Sequence, residues 1–265
     1  MTDKTAELVL DADLVRRLRA ALTASATELF QLVQDPAPEV LRSLLKNPQL
    51  YDDHLLALLK RRDLSEDLLK AISQLHRAQA GHRIKVALAK NPNTPGPLLQ
   101  SLLPQLYLFE LLEVCFLPGV TPDQKVAAER VMLQRLPTTP LGNKMTLARR
   151  GTPTLVDALL KEGDIRLMEP CLQNPRLREL SIQQFLNGPT ASADTISAIA
   201  RHGRWNQRPN IKLAILKNRK TPAIWFTLYL PQLRTDQLQE LLASRRLSPQ
   251  QKQLVKNDLK RRGLG

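Results

Sequence analysis

The chain has 265 residues, with 39 Lys and Arg against 25 Asp and Glu, for a formal net charge of +14. Hydrophobic residues at 43% suffice for a continuous core, yet no apolar run reaches the roughly 18–20 residues needed to span a bilayer. The start, Met1–Thr2–Asp3–Lys4, carries no apolar signal segment, and two isolated cysteines, Cys115 and Cys171, offer no disulfide framework and suit a reducing cytoplasm.

Residues 6–34 predict one or two amphipathic helices, with Leu8, Leu10, Leu14, Leu18, Leu22 and Leu29 apolar and Arg16, Arg17 and Arg19 exposed. We read 1–35 as an N-terminal helical cap of the kind that covers the first apolar face of a repeat array. Ala37–Pro38 marks the join, and 36–265 reads as the array itself. Residues 84–91, Ile-Lys-Val-Ala-Leu-Ala-Lys-Asn, return 127 residues later at 211–218 as Ile-Lys-Leu-Ala-Ile-Leu-Lys-Asn. The match continues without a gap: Thr94–Pro95 falls on Thr221–Pro222, residues 103–106 on 230–233, and Pro122, Gln124 and Lys125 on Pro249, Gln251 and Lys252. Self-similarity at a fixed period marks a repeat architecture.

A smaller unit is nested inside. Its corner begins at Lys46–Asn47–Pro48, Lys90–Asn91–Pro92, Gln173–Asn174–Pro175 and Lys217–Asn218–Arg219, and a Thr/Ser-Pro half recurs at Thr121–Pro122, Thr152–Pro153 and Ser248–Pro249. Steps of 27 and 31 residues between these half-motifs accommodate two short helices and two turns. Lys in a last turn opposes the helix dipole, Asn takes the left-handed conformation that ends many helices, and Thr or Ser caps the next helix with Pro at its first position. Between corners, Leu98, Leu99, Leu102, Leu103 and Leu106 follow helical spacing, as do Leu238, Leu241, Leu242 and Ala243. No stretch alternates with a period of two. An all-α fold of short helix pairs is expected. Residues 187–194 form the longest turn-forming stretch, and the step across it is 44 rather than 27, which predicts an irregular unit or hinge at 187–210.

The Asn-Pro-x-Thr-Pro corner at 91–95, followed by Leu98–Leu99, resembles the leucine-rich repeat variant family, short α-solenoids related to HEAT and armadillo arrays. The resemblance implies a right-handed α-solenoid of short helix pairs, and such arrays usually hold partners rather than perform chemistry. Some members carry a cysteine cluster around an iron–sulfur centre. Two cysteines cannot supply one, so no cofactor is expected.

Charge is unevenly placed. Residues 1–139 hold 17 Lys/Arg and 16 Asp/Glu, and residues 140–265 hold 22 and 9. One basic stretch comprises Arg201, His202, Arg204, Trp205, Arg208, Lys212, Lys217, Arg219 and Lys220. A second, Lys252, Lys256 and Lys260, forms one stripe of a final helix ending Arg261–Arg262–Gly263. Such fields attract anionic partners, and phosphate backbones are bound by clusters of this kind. Trp205 is placed to stack on an unpaired base. The same residues equally suit helix C-termini, with Trp205 packed in a joint between units. Trp225 and Tyr229 replace Leu98 and Leu102 of the first copy, which favours core packing, with a groove-edge hydroxyl as the alternative for Tyr229.

The four histidines, His54, His76, His82 and His202, have no Cys or carboxylate at metal-ligand spacing, and neither a Gly-rich phosphate loop nor a nucleophile elbow occurs. Asp52–Asp53 and Glu66–Asp67 fall at helix starts, where they complement the dipole. The sequence therefore favours a non-enzymatic scaffold for an acidic protein partner, with no catalytic or metal site. The alternative is backbone-directed binding of DNA or RNA through the basic half. A third possibility, resembling the alkylpurine DNA glycosylases built from HEAT-like repeats, requires a catalytic Asp near Trp205 or Trp225; Asp194 and Asp236 are the nearest.

Overall fold

The structure, a computed structural model, describes residues 12–263, and all regular structure among them is helical. The chain divides into two compact units, 1–132 and 133–265.

In the first unit the helices are α1 (Ala12–Thr23), α2 (Ala26–Leu32), α3 (Pro38–Leu44), α4 (Asp52–Leu59), α5 (Glu66–Gln74), α6 (His76–Ala80), α7 (His82–Lys90), α8 (Gly96–Leu102) and α9 (Leu108–Val114). The division into units falls inside α10 (Pro122–Arg135). Helices α1, α3 and α5 pack in succession, and α2, α4, α7 and α9 form a second succession. Thus α1 and α2 pack on α3 and α4 as part of this unit; Leu8 and Leu10 lie outside the described residues.

The second unit holds α11 (Leu141–Arg150), α12 (Pro153–Lys161), α13 (Ile165–Gln173), α14 (Glu179–Asn187), α15 (Ala193–Arg201), α16 (Pro209–Leu216), α17 (Ala223–Tyr229), α18 (Thr235–Ala243) and α19 (Pro249–Arg261). Here α11, α13 and α15 pack in one succession and α12, α14 and α16 in the other. The segment 187–210, expected to be irregular, is occupied by α15, which packs on both α13 and α16. Trp225 and Tyr229 are buried, and their polar ends are satisfied internally: Trp225 Nε1 donates to Ser197 Oγ and the Tyr229 hydroxyl to the Ala200 carbonyl.

Most of these helices are seven to nine residues long. A helix leaves its last four carbonyls without intrahelical partners, so helices this short leave about half of their carbonyls unsatisfied. The corners answer this need. Asn47 Nδ2 donates to the Ala21 and Ala24 carbonyls, Asn91 to Leu59 and Arg61, Asn174 to Ala148 and Gly151, and Asn218 to Leu186. Each Oδ1 meanwhile accepts the amide two residues on, from Gln49, Asn93, Arg176 and Lys220 respectively. One side chain thus folds its own turn and covers the preceding unit's helix end.

This geometry corrects two expectations. Asn91 and Asn174 are extended, at φ −77° and −64°, and among the described residues only Gly119, Gly163 and Gly263 have positive φ. The Asn side chain, not a left-handed backbone, is what the corner uses. Nor do Thr94 and Thr221 cap the following helix. Their hydroxyls donate backwards to the Leu88 and Ile215 carbonyls, and α8 and α17 begin two residues later, at Gly96 and Ala223. Capping does hold at Ser248, whose Oγ accepts from Gln251 N with Pro249 opening α19.

The 127-residue repeat carries its bonds with it. Asn93 Nδ2 donates to the Arg62 and Leu64 carbonyls; Lys220 Nζ, its counterpart, donates to Pro189 and Ala191, which are the corresponding acceptors. Lys90 pairs with Glu113 and Lys217 with Glu240. Gln124 Nε2 donates to the Pro92 carbonyl, and Gln251 to the equivalent Arg219 as well as Asn218 and Thr221.

Asn174 is fully buried with three bonds. Asn174→Ala is expected to lower unfolding free energy by about 2–4 kcal/mol, because it strands two carbonyls and an amide. Urea denaturation checks this; a loss below about 0.5 kcal/mol would remove the corner bond from its assigned role.

Candidate partner-binding surfaces

The basic stretch at 201–220 does not converge on one place. Arg201, Arg204 and Arg208 belong to the corner before α16, and Lys217, Arg219 and Lys220 to the corner after it. The eight residues of α16 separate these corners by about 12 Å. Several of the charges are also committed. Arg204 Nη1 donates to the Asn174 carbonyl at 2.8 Å and Nη2 to Pro175 and Leu177 at 3.3 Å, while its guanidinium lies 4.4 Å from the Trp205 ring centroid. Arg208 pairs with Glu179 at 3.1 Å, and Lys212 Nζ donates to Gln232 Oε1 at 2.6 Å. Lys217 and Lys220 are held as described above.

Trp205 is only 1% exposed, and its Nε1 donates to the Leu172 carbonyl at 3.1 Å. The expectation that it stacks on a ligand is corrected: burial and the covering Arg204 leave no ring face for a base. Asp194 sits at the start of α15 and Trp205 just past its end, while Asp236 is exposed in a pair with Arg234. Of the predicted cations, Arg201, Arg219, Lys252, Lys256 and Lys260 have side chains with no hydrogen bond or ion pair to another described residue. Lys252 is half-buried and the other four are exposed.

A concavity lies in the first unit, where the sequence placed no site. Leu56 and Ala57 of α4, with Val86 and Ala87 of α7, floor a groove of about 700 Å³, with Phe30 of α2 and Glu110 of α9 also lining it. At the C-terminal ends of α4 and α7 it is bordered by Lys60, Arg61, Arg62 and Lys90. Arg61 is bound to Asp63 and to the Val33 and Asp35 carbonyls, and Lys90 to Glu113. Lys60 and Arg62 are exposed, and their side chains bond to no described residue. At the opposite helix ends His82 Nε2 sits 2.9 Å from Glu110 Oε2 and Arg83 3.9 Å from Asp53. The sequence signal was the run Lys60–Arg61–Arg62, which reads as an ordinary helix end in the charge-balanced half of the chain.

No protein-family model matches the chain, and no curated protein or solved structure is similar to it.

Both thiols are buried, and burial pushes Cys115 and Cys171 up from 9.0 to about 12. Since the thiolate is the nucleophile, neither should react with an aromatic disulfide reagent at about pH 8 until the protein unfolds. Reaction of either within minutes in the native state contradicts this. Because these raised values disfavour the thiolate only in the folded state, their contribution to stability is present below about pH 9 and is lost as pH rises toward 12. Trp205→Ala is expected to cost about 3–5 kcal/mol in thermal or urea unfolding. Loss of partner binding without loss of stability would return Trp205 to the surface.

Proposed function

We propose that this chain is a non-enzymatic binding scaffold, a right-handed α-solenoid of short helix pairs like the leucine-rich repeat variant and HEAT-like arrays, that holds a protein partner through an acidic surface. What supports the solenoid is the corner network, in which each unit's side chains close the helix ends of the unit before it. The scaffold role rests on architecture and is an inference at fold level. The observation that carries the acidic partner is that five of the predicted cations in the second unit, Arg201, Arg219, Lys252, Lys256 and Lys260, are not consumed by corners or ion pairs. Unpaired, exposed charge of one sign steers an oppositely charged partner. Backbone-directed nucleic-acid binding draws on the same charges, but the aromatic that was to stack on bases is withdrawn into the core. The unpaired buried thiols suit a reducing compartment such as the cytoplasm.

Anisotropy titrations with labelled polyglutamate, duplex DNA and single-stranded DNA, from low salt to about 0.15 M, separate the two. We expect polyglutamate binding to persist at the higher salt. Reversal of the five cations to Glu should weaken it by more than about tenfold while the helical circular dichroism stays intact. Tight DNA or RNA binding that survives at that salt and disappears in the reversed variant would replace the protein partner by a nucleic acid.

A further inference from the structure

We infer that the groove over α4 and α7 in the first unit receives an acidic peptide segment, seating an apolar side chain over Ala57 and Ala87 and a carboxylate against Lys60 and Arg62. This goes beyond the cations of the second unit by naming a separate site, and it rests on the reading of the chain as a protein-binding scaffold.

Three observations carry it. First, the groove's volume, about 700 Å³, and its floor of Leu56, Ala57, Val86 and Ala87 match the apolar concavity that buries a ligand's hydrophobic portion. The two alanines keep it open, since any larger side chain at those positions fills it. Second, Lys60 and Arg62 are not needed by the corner on which they sit. The carbonyls there are covered by other donors: Asn91 takes Leu59 and Arg61, and Asn93 takes Arg62 and Leu64. The usual reason for a cation at a helix C-terminus is thus already met. The second unit demonstrates this, because Asn187 and Pro189 stand where Lys60 and Arg62 stand, and the corner is closed by Asn218 and Lys220 all the same. Third, the opposite end of the groove offers no free cation, since Arg83 faces Asp53 and His82 Nε2 lies against Glu110. The carboxylate of the bound segment is therefore directed to the Lys60–Arg62 end.

The groove chemistry is also particular to this unit. In the second copy Gln183 and Gln184 replace Leu56 and Ala57, and Pro209 and Gln237 replace His82 and Glu110, while Leu213 and Ala214 keep the positions of Val86 and Ala87 apolar. The corner bonds persist across the repeat while the α4 side of the groove lining changes, as expected where the corner serves the fold and that lining serves a ligand.

The test is selection of random twelve-residue displayed peptides on the full-length protein, followed by anisotropy titration of the best sequences. Selected peptides should be enriched in Asp or Glu flanking Leu, Ile or Phe. Binding should fall by more than about tenfold in Ala87→Trp, which fills the groove, and in the double variant Lys60→Glu/Arg62→Glu. The double variant touches only exposed side chains and keeps the test decisive if Ala87→Trp fails to fold, which circular dichroism and a thermal melt report. The five-site reversal in the second unit should leave this peptide binding unchanged. Absence of enriched peptides, enrichment without acidic residues, or undiminished binding in the double variant overturns the inference. Competition by single-stranded nucleic acid that the double variant abolishes would assign the groove to that ligand instead. Polyglutamate binding that depends on the five cations, with no groove-dependent peptide, leaves the scaffold standing and this site refuted.

Discussion

Short helices expose a large number of backbone carbonyls, and this constraint shapes the rest of the molecule. A helix of eight residues leaves half its acceptors unsatisfied, and where such ends are buried between neighbours, each unpaired group costs about 1–3 kcal/mol. The chain meets the demand with side-chain donors that reach back 23 to 33 residues: Asn, Gln, Arg, Lys, and the indole of Trp205. Corner residues are accordingly chosen for the length and number of their N–H groups. Part of the chain's basic character is a by-product of that choice, since Arg and Lys are the longest donors the code supplies.

The two copies of the long repeat show how interchangeable such donors are. Asn93 and Lys220 differ in length, charge and shape, yet each covers the same pair of carbonyls in its own unit. Selection at a corner acts on reach and donor count, and a formal charge appears or vanishes without consequence for the joint. Faces between corners are under no such requirement. There the copies part company, with Leu56, Ala57 and the free cations along and just past α4 in one and glutamines at the positions of Leu56 and Ala57 in the other.

The same reasoning explains what the sequence disclosed. The Lys-Asn-x-x-Thr-Pro pattern located the corners, and the leucine stripes with the placement of Trp225 and Tyr229 located buried positions, because burial and helical period leave one-dimensional traces. The mechanism inside the corner left none. Whether Asn91 bends its own backbone or extends a side chain to Leu59 depends on a neighbour about thirty residues away, and Thr94 looks the same whether it caps forwards or bonds backwards. Likewise Arg204 and Arg219 are indistinguishable as letters, although one is tied to three carbonyls and the other is unoccupied. The groove was hidden for a related reason: Ala57 and Ala87 mean little singly and define a space only when α4 and α7 lie side by side.

The long-range side-chain bonds to backbone share one polarity. In the bonds traced from Asn47 on Ala21 to Arg262 on Leu230, the donor lies more than twenty positions later in the chain than its acceptor. A ribosome releases these segments in that order. Each corner must therefore wait, its carbonyls met only by water, until roughly thirty further residues have emerged to close it. Folding along this chain is consequently retrospective, every unit being completed by its successor.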